Sequence, residues 1–157
     1  MKKILFICLG NICRSAAAEA VMKKLIEDKN ISKEFFIDSA GTSNYHEGGK
    51  ADPRMIQHSL NRGYNITSIS RPIKKEDYYE FDLIVVMDKE NLKNVSSLCP
   101  EEKLLEKIVP MSDFFTQHKD EIVPDPYFGG NKGFEYVLDL LEDGCSELLL
   151  QLSKKDI

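Results

Sequence analysis

No stretch of this sequence approaches the roughly 18 consecutive apolar residues that a membrane-spanning helix needs. The longest candidate near the N-terminus, Ile4 to Leu9, is too short for a secretory signal and is ended by Asn11 and Arg14. Cysteine is sparse, at four residues (Cys8, Cys13, Cys99, Cys145), and no C-x-x-C pair occurs, which removes the zinc-ribbon and thioredoxin readings. The three histidines, His46, His58 and His118, have no metal-ligand spacing. Neither G-x-G-x-x-G nor G-x-x-x-x-G-K-[ST] is present, so a nucleotide-binding reading has no support. Basic residues do not predominate: 21 against 26 acidic ones leave a net charge of −5, which argues against nucleic acid or a membrane surface as a general partner. There is no repeat, low-complexity tract or linker. The expectation is a single domain over residues 1–157, placed in the cytoplasm, where thiols stay reduced.

What is present is an alternation of strand and helix signals. Ile4-Leu5-Phe6-Ile7 is an uninterrupted apolar run, as expected of a strand buried on both faces of a parallel sheet. From Ser15 the period changes, with Ala18, Val21, Met22 and Leu25 on one helical face. Phe35-Phe36-Ile37 resumes strand character. Asp52-Pro53 reads as N-cap and first residue of a helix ending near Asn61. Leu83 to Met87 is a third strand, followed by a short helix from Asp88 to about Leu98 and a fourth strand near Lys107–Pro110. Ser112 to Lys132 reads as one long polar segment. The last helix has the clearest stripe: Phe134, Val137, Leu138, Leu141, Cys145, Leu148, Leu149 and Leu152. The fold class is therefore α/β, a three-layer arrangement of about four parallel strands with helices on both faces.

In such sheets ligands bind beyond the carboxyl ends of the strands. The segment there is Cys8-Leu9-Gly10-Asn11-Ile12-Cys13-Arg14-Ser15, between a buried strand and a helix N-terminus. Backbone dipoles at a helix N-terminus favour a thiolate. Five intervening residues suffice to wrap a loop whose N–H groups cradle a tetrahedral oxyanion, and Arg14 can grip two phosphate oxygens. Gly10 and Asn11 tolerate the tight turns such a loop needs, and Ser15 can donate a hydrogen bond to sulfur. A bare C-x5-R is a weak signal, and Cys8 alone reads as a small core residue. The Gly, Asn, Arg and Ser around it are what that simpler reading leaves unexplained. The segment is read as a site of nucleophilic attack on a bound phosphoryl group. Expelling an alkoxide or phenolate also needs a general acid. Two Asp-Pro pairs qualify: Asp52 is well explained as a helix cap, whereas Asp125, flanked by Pro124 and Pro126 in a long loop, is not.

Cys8 to Ser15 resembles the active-site signature of the low-molecular-weight protein tyrosine phosphatases. The likeness continues through Asp38-Ser39, Asp52-Pro53-Arg54, Met87-Asp88 and Pro124-Asp125-Pro126-Tyr127. Ala16 departs from the proline often found there. The resemblance implies a flavodoxin-like fold, Cys8 as nucleophile, Arg14 as phosphate clamp and Asp125 as general acid. It also implies a phosphate-binding loop of Leu9, Gly10, Asn11, Ile12, Cys13 and Ser15, which takes phosphate, sulfate or vanadate. Tyr45, where some members have tryptophan, and Tyr127 would wall a pocket for phosphotyrosine-containing proteins. No cofactor or metal is expected. Cys13 would be a reversible disulfide partner of Cys8, against the alternative of a packed small residue. Related protein-arginine phosphatases carry threonine at the position of Ile12, so Ile12 favours phosphotyrosine. An arsenate reductase on the same fold needs two further cysteines after the third strand, and Met87 to Leu98 has none. A non-catalytic phosphate-binding module would need no Asp125. Asp88 is read as the cap of its helix, with contact to the loop as the alternative.

Overall fold

Alternate residues of the first strand, β1 (Lys2–Cys8), serve two different cores. Ile4, Phe6 and Cys8 join one apolar cluster, and Leu5 and Ile7 join the other. A strand covered on both faces has no polar side to show, hence the continuous apolar run. In this computed structural model, which describes residues 1–155, β1 pairs in parallel with β2 (Phe35–Gly41) and with β3 (Leu83–Val86). β4 (Ile108–Pro110) adds in parallel to β3, giving the order β2-β1-β3-β4. Asp156 and Ile157, the end of the domain expected over 1–157, lie outside the described residues.

The first cluster is built with α1 (Arg14–Asp28), α2 (Pro53–Asn61) and α5 (Gly130–Lys155). The second takes Tyr78 from α3 (Lys75–Glu80) and Val95 from α4 (Lys89–Leu98). All eight residues of the predicted α5 stripe are buried. Gly144 interrupts that helix at a propensity cost of about 1 kcal/mol. A Cβ there would come within 2.8 Å of Met111 Cε and 3.2 Å of Phe115 Cε1, so the glycine admits the short turn Met111–Phe114 against the helix.

Two features differ from the sequence reading. α3 was not expected, because six residues with mixed charge are too short to show a period; Asp77 accepts from the Lys74 N–H at 2.9 Å and fixes its start. The segment Ser112–Lys132 is not one irregular stretch. It contains the end of the Met111–Phe114 turn, a second turn at Pro126–Phe128 and the first three residues of α5, whose Gly130 and Gly133 mask the helix start.

The strand order places β1 beside β3, so the chain changes its direction of travel across the sheet between them. This is the switch point where a crevice opens at the strand C-termini. Cys8 ends β1 there, and Met87 and Asp88 follow β3.

Candidate active site

The loop after β1 is held from outside by its carbonyls. Thr42 N–H donates to Cys8 O, Ser43 N–H to Leu9 O, Ser70 Oγ to Gly10 O and Asp52 N–H to Ile12 O. In a trans peptide the next N–H points the opposite way, so those of Leu9, Gly10, Asn11 and Cys13 turn away from these donors. Such a loop can cradle an oxyanion. Asn11 makes the bend with φ of 57°, in the left-handed region that asparagine tolerates. Gly41, at the end of β2, lies under the loop: a Cβ on it would meet Leu9 O at 2.7 Å and Asn11 N at 3.2 Å.

Cys8 is 2% exposed, with Sγ 3.0 Å from Ser15 Oγ. Behind it runs a chain of polar side chains. Arg71 N–H donates to Asn11 Oδ1 (3.1 Å), and Asn11 Nδ2 donates to Ser15 Oγ (2.8 Å) and to Ser39 Oγ (2.9 Å). Ser39 Oγ donates to Glu19 Oε1 at 2.6 Å, and Lys23 pairs with the other Glu19 oxygen. With Asn11 donating to Ser15 Oγ, the Ser15 hydrogen is left to point at sulfur. Arg71 is itself fixed by Asp38 and Asp77, both at 2.9 Å.

Arg14, 5% exposed, opens α1. Its Nη1 donates to Asp88 Oδ2 at 2.7 Å and to Val123 O at 3.0 Å, bridging the ends of β1 and β3. Asp88 does both things considered for it: its other oxygen accepts Asn91 N–H at 2.7 Å and caps α4. Burial, then the nearby Asp52, Cys8 and Asp125, push the Cys13 thiol up to about 12, so Cys13 is held as a neutral thiol.

Cys8, Leu9, Gly10, Ile12, Cys13, Arg14, Tyr45, Asp125 and Tyr127 line one cleft of about 350 Å³, with Ser43 and His46. Asn11 and Ser15 stand behind it. Asp125 is exposed and accepts Tyr127 N–H at 2.9 Å, while Asp52 caps α2 and is gripped by Arg54. Hydrogen bonding from Arg54 holds the Asp52 carboxyl below its ordinary range, so it stays ionised and has no proton to give. Of the two Asp-Pro pairs, the cleft takes Asp125.

The chain matches the sequence model of the low molecular weight phosphotyrosine protein phosphatases over residues 3–157. It belongs to that family. The family's human phosphotyrosine protein phosphatase is 39% identical over 148 residues, 94% of each chain. The crystal structure of a protein tyrosine phosphatase from Entamoeba histolytica, with Hepes in its active site, superposes with a TM-score of 0.96 at 48% identity over the whole of both chains. The Drosophila arginine phosphatase is similar at 32% identity and a TM-score of 0.87, covering 97% of this chain and 98% of its own. As a low-molecular-weight phosphatase the chain is a hydrolase with the four-stranded parallel α/β fold expected of it.

Glu19, Ser43, His46, Ser70 and Arg71 were not singled out from sequence. Glu19 left one trace, a carboxylate four residues after Ser15 and four before Lys23 in a helix half that is otherwise rich in alanine. The others carry no local signal, since they reach the loop from the segments that follow β2.

Proposed function

We propose that this phosphatase hydrolyses phosphotyrosine through a phosphocysteine intermediate on Cys8. The observation that carries the reading is Cys8 Sγ in contact with Ser15 Oγ at the floor of a cleft that also holds Arg14 and Asp125. Cys8 thiolate attacks phosphorus as the bond to the tyrosyl oxygen breaks, and Asp125 gives that oxygen its proton. Asp125 then takes a proton from water, whose oxygen attacks phosphorus; the S–P bond breaks and phosphate leaves. Loop N–H groups and Arg14 carry the charge on the equatorial oxygens in both steps. None of these steps calls for a metal. Among the described residues no group of three His, Cys, Asp or Glu side chains could hold one.

Substrate choice follows from the cleft walls. Tyr45 and Tyr127 offer exposed aromatic faces to a phenyl ring. Ile12 lines the same cleft and gives a phosphoguanidinium no acceptor for its N–H groups. An arsenate-reductase relay needs two further cysteines within reach of Cys8; Cys13 shares the cleft, but Cys99 packs on the opposite side of the sheet and Cys145 is buried in the core.

The test is turnover of phosphotyrosine and phosphoarginine peptides, with chelator present, by wild type, Cys8→Ser, Asp125→Ala and Ile12→Thr. Phosphotyrosine turnover is expected to vanish in Cys8→Ser and to fall roughly 10²–10⁴-fold in Asp125→Ala, the range of general-acid catalysis. Ile12→Thr should gain phosphoarginine activity. Turnover that survives Cys8→Ser overturns the mechanism, and a wild-type preference for phosphoarginine overturns the substrate.

A further inference from the structure

Arg54 is held on one side and holds something on the other. Asp52 grips its guanidinium at two points, Nε to Oδ1 at 3.2 Å and Nη2 to Oδ2 at 2.9 Å. Asp52 is also the cap of α2, so the guanidinium is fixed to the start of a regular helix rather than left to wander. Its Cζ lies 4.7 Å from the centroid of the Tyr127 ring and 5.0 Å from that of Phe134. Phe134 is buried in α5, whereas Tyr127 is 58% exposed and belongs to the turn that carries Asp125. That turn is short, and the Asp125 carboxylate bonds within it, to Tyr127 N–H. The stacked ring therefore ties the turn to the helix α2.

We propose that Arg54 is a positioning residue for Asp125: its guanidinium, pinned by Asp52 and backed by Phe134, holds the Tyr127 ring and with it the carboxyl that faces the cleft. Arg54 is not itself among the residues that line the cleft. This rests on the reading of Asp125 as general acid. It also gives Asp52 a function that its residue type alone does not suggest, that of orienting the residue which orients the acid. Lysine would keep a charge beside Asp52 but lose the planar group that lies on the ring.

Loss of acid positioning has a signature that general loosening lacks. A good leaving group departs without a proton, whereas a poor one needs it. The experiment is kcat/KM for p-nitrophenyl phosphate and for phenyl phosphate with wild type, Arg54→Ala, Arg54→Lys, Asp125→Ala and the Arg54→Ala/Asp125→Ala double variant. Arg54→Ala is expected to lose roughly three- to tenfold more on phenyl phosphate than on p-nitrophenyl phosphate, the order a guanidinium–ring contact carries. Arg54→Lys should show the same bias to a lesser degree, and it decides the matter if the alanine variant does not fold. In the Asp125→Ala background, removal of Arg54 should add no further bias. Equal losses on both substrates in the Arg54 variants, with Asp125→Ala strongly biased, overturn the inference alone. Equal losses in Asp125→Ala overturn the acid assignment and the inference with it.

Discussion

At Asn11 the side-chain amide is oriented by one backbone donor, Arg71 N–H on Oδ1, which turns Nδ2 toward Ser15 and Ser39. Ser15 Oγ then accepts from Asn11 and has its own hydrogen free for Cys8 Sγ. The nearly isosteric change Asn11→Asp reverses this: a carboxylate cannot donate, and the Ser15 hydrogen turns to it instead of to sulfur. Asn11→Asp and Ser15→Ala are both expected to slow alkylation of Cys8 by iodoacetamide at fixed pH. The loss should be roughly 10- to 100-fold, the worth of a hydrogen bond to a charged group at about 1.5–3 kcal/mol. An unchanged alkylation rate in both would show that the Ser15 hydroxyl does not act on the sulfur. Half of this arrangement can be read from the sequence. Asn11 and Ser15 are neighbours of Cys8 along the chain, and a contiguous loop displays its chemistry in order. Arg71 and Ser39 are brought in by the sheet and the loop beyond it, from 60 and 28 residues away.

The elements contribute at their ends. Asp88 caps α4 with one oxygen and pairs with Arg14 through the other, so its two roles can be separated. Asp88→Ala should cost about 1 kcal/mol of stability through the lost cap and also lower kcat/KM. Asparagine is as good a cap as aspartate, so Asp88→Asn should recover the cap's share of the stability in urea unfolding but not the kcat/KM, which depends on the ion pair that aims Arg14. Full recovery of both would make Asp88 a cap and nothing more. A second anchor acts at the other end of the segment that leads to Asp125. Asp143 in α5 accepts from Thr116 N–H and Oγ1, from Gln117 N–H and from the N–H and ring of His118. Burial pushes its carboxyl up, but hydrogen bonds from His118, Thr116 and Gln117 outweigh it and bring it down to about 2, from 3.8. A depressed carboxyl contributes stability above its unfolded value, near pH 4, and that contribution is lost as pH falls through about 2. It amounts to about 2 kcal/mol. The stability difference between wild type and Asp143→Asn should therefore be largest at neutral pH and shrink between about pH 4 and pH 2. A difference that does not change across that window would contradict the assignment.

Across the whole molecule, the two faces of the sheet divide the work. Both are apolar, which is why β1 and β3 stand out as apolar runs and α5 as a long stripe. One face carries α1 and α2, whose N-terminal ends bring Arg14 to the cleft and Arg54 to the Tyr127 ring at its wall. The other carries α4, whose cap Asp88 reaches back across the switch point to Arg14. The parts that escaped the sequence are the short ones. α3 and the turn around Pro126 lack the length to show a period, and the contact of Arg54 with Tyr127 spans 73 residues that only the fold brings together. No helix among the described residues is long and apolar enough to cross a membrane. The central claim is that the phosphoryl group passes through Cys8. It is tested most directly by mixing Asp125→Ala with p-nitrophenyl phosphate, a good leaving group, quenching within a turnover and mapping the phosphorylated peptide by mass. A phosphoryl group on the peptide containing Cys8, absent when Cys8→Ser is added to the variant, is the predicted result. A burst of p-nitrophenol with no phosphoryl group on Cys8, or with one on another residue, would contradict it.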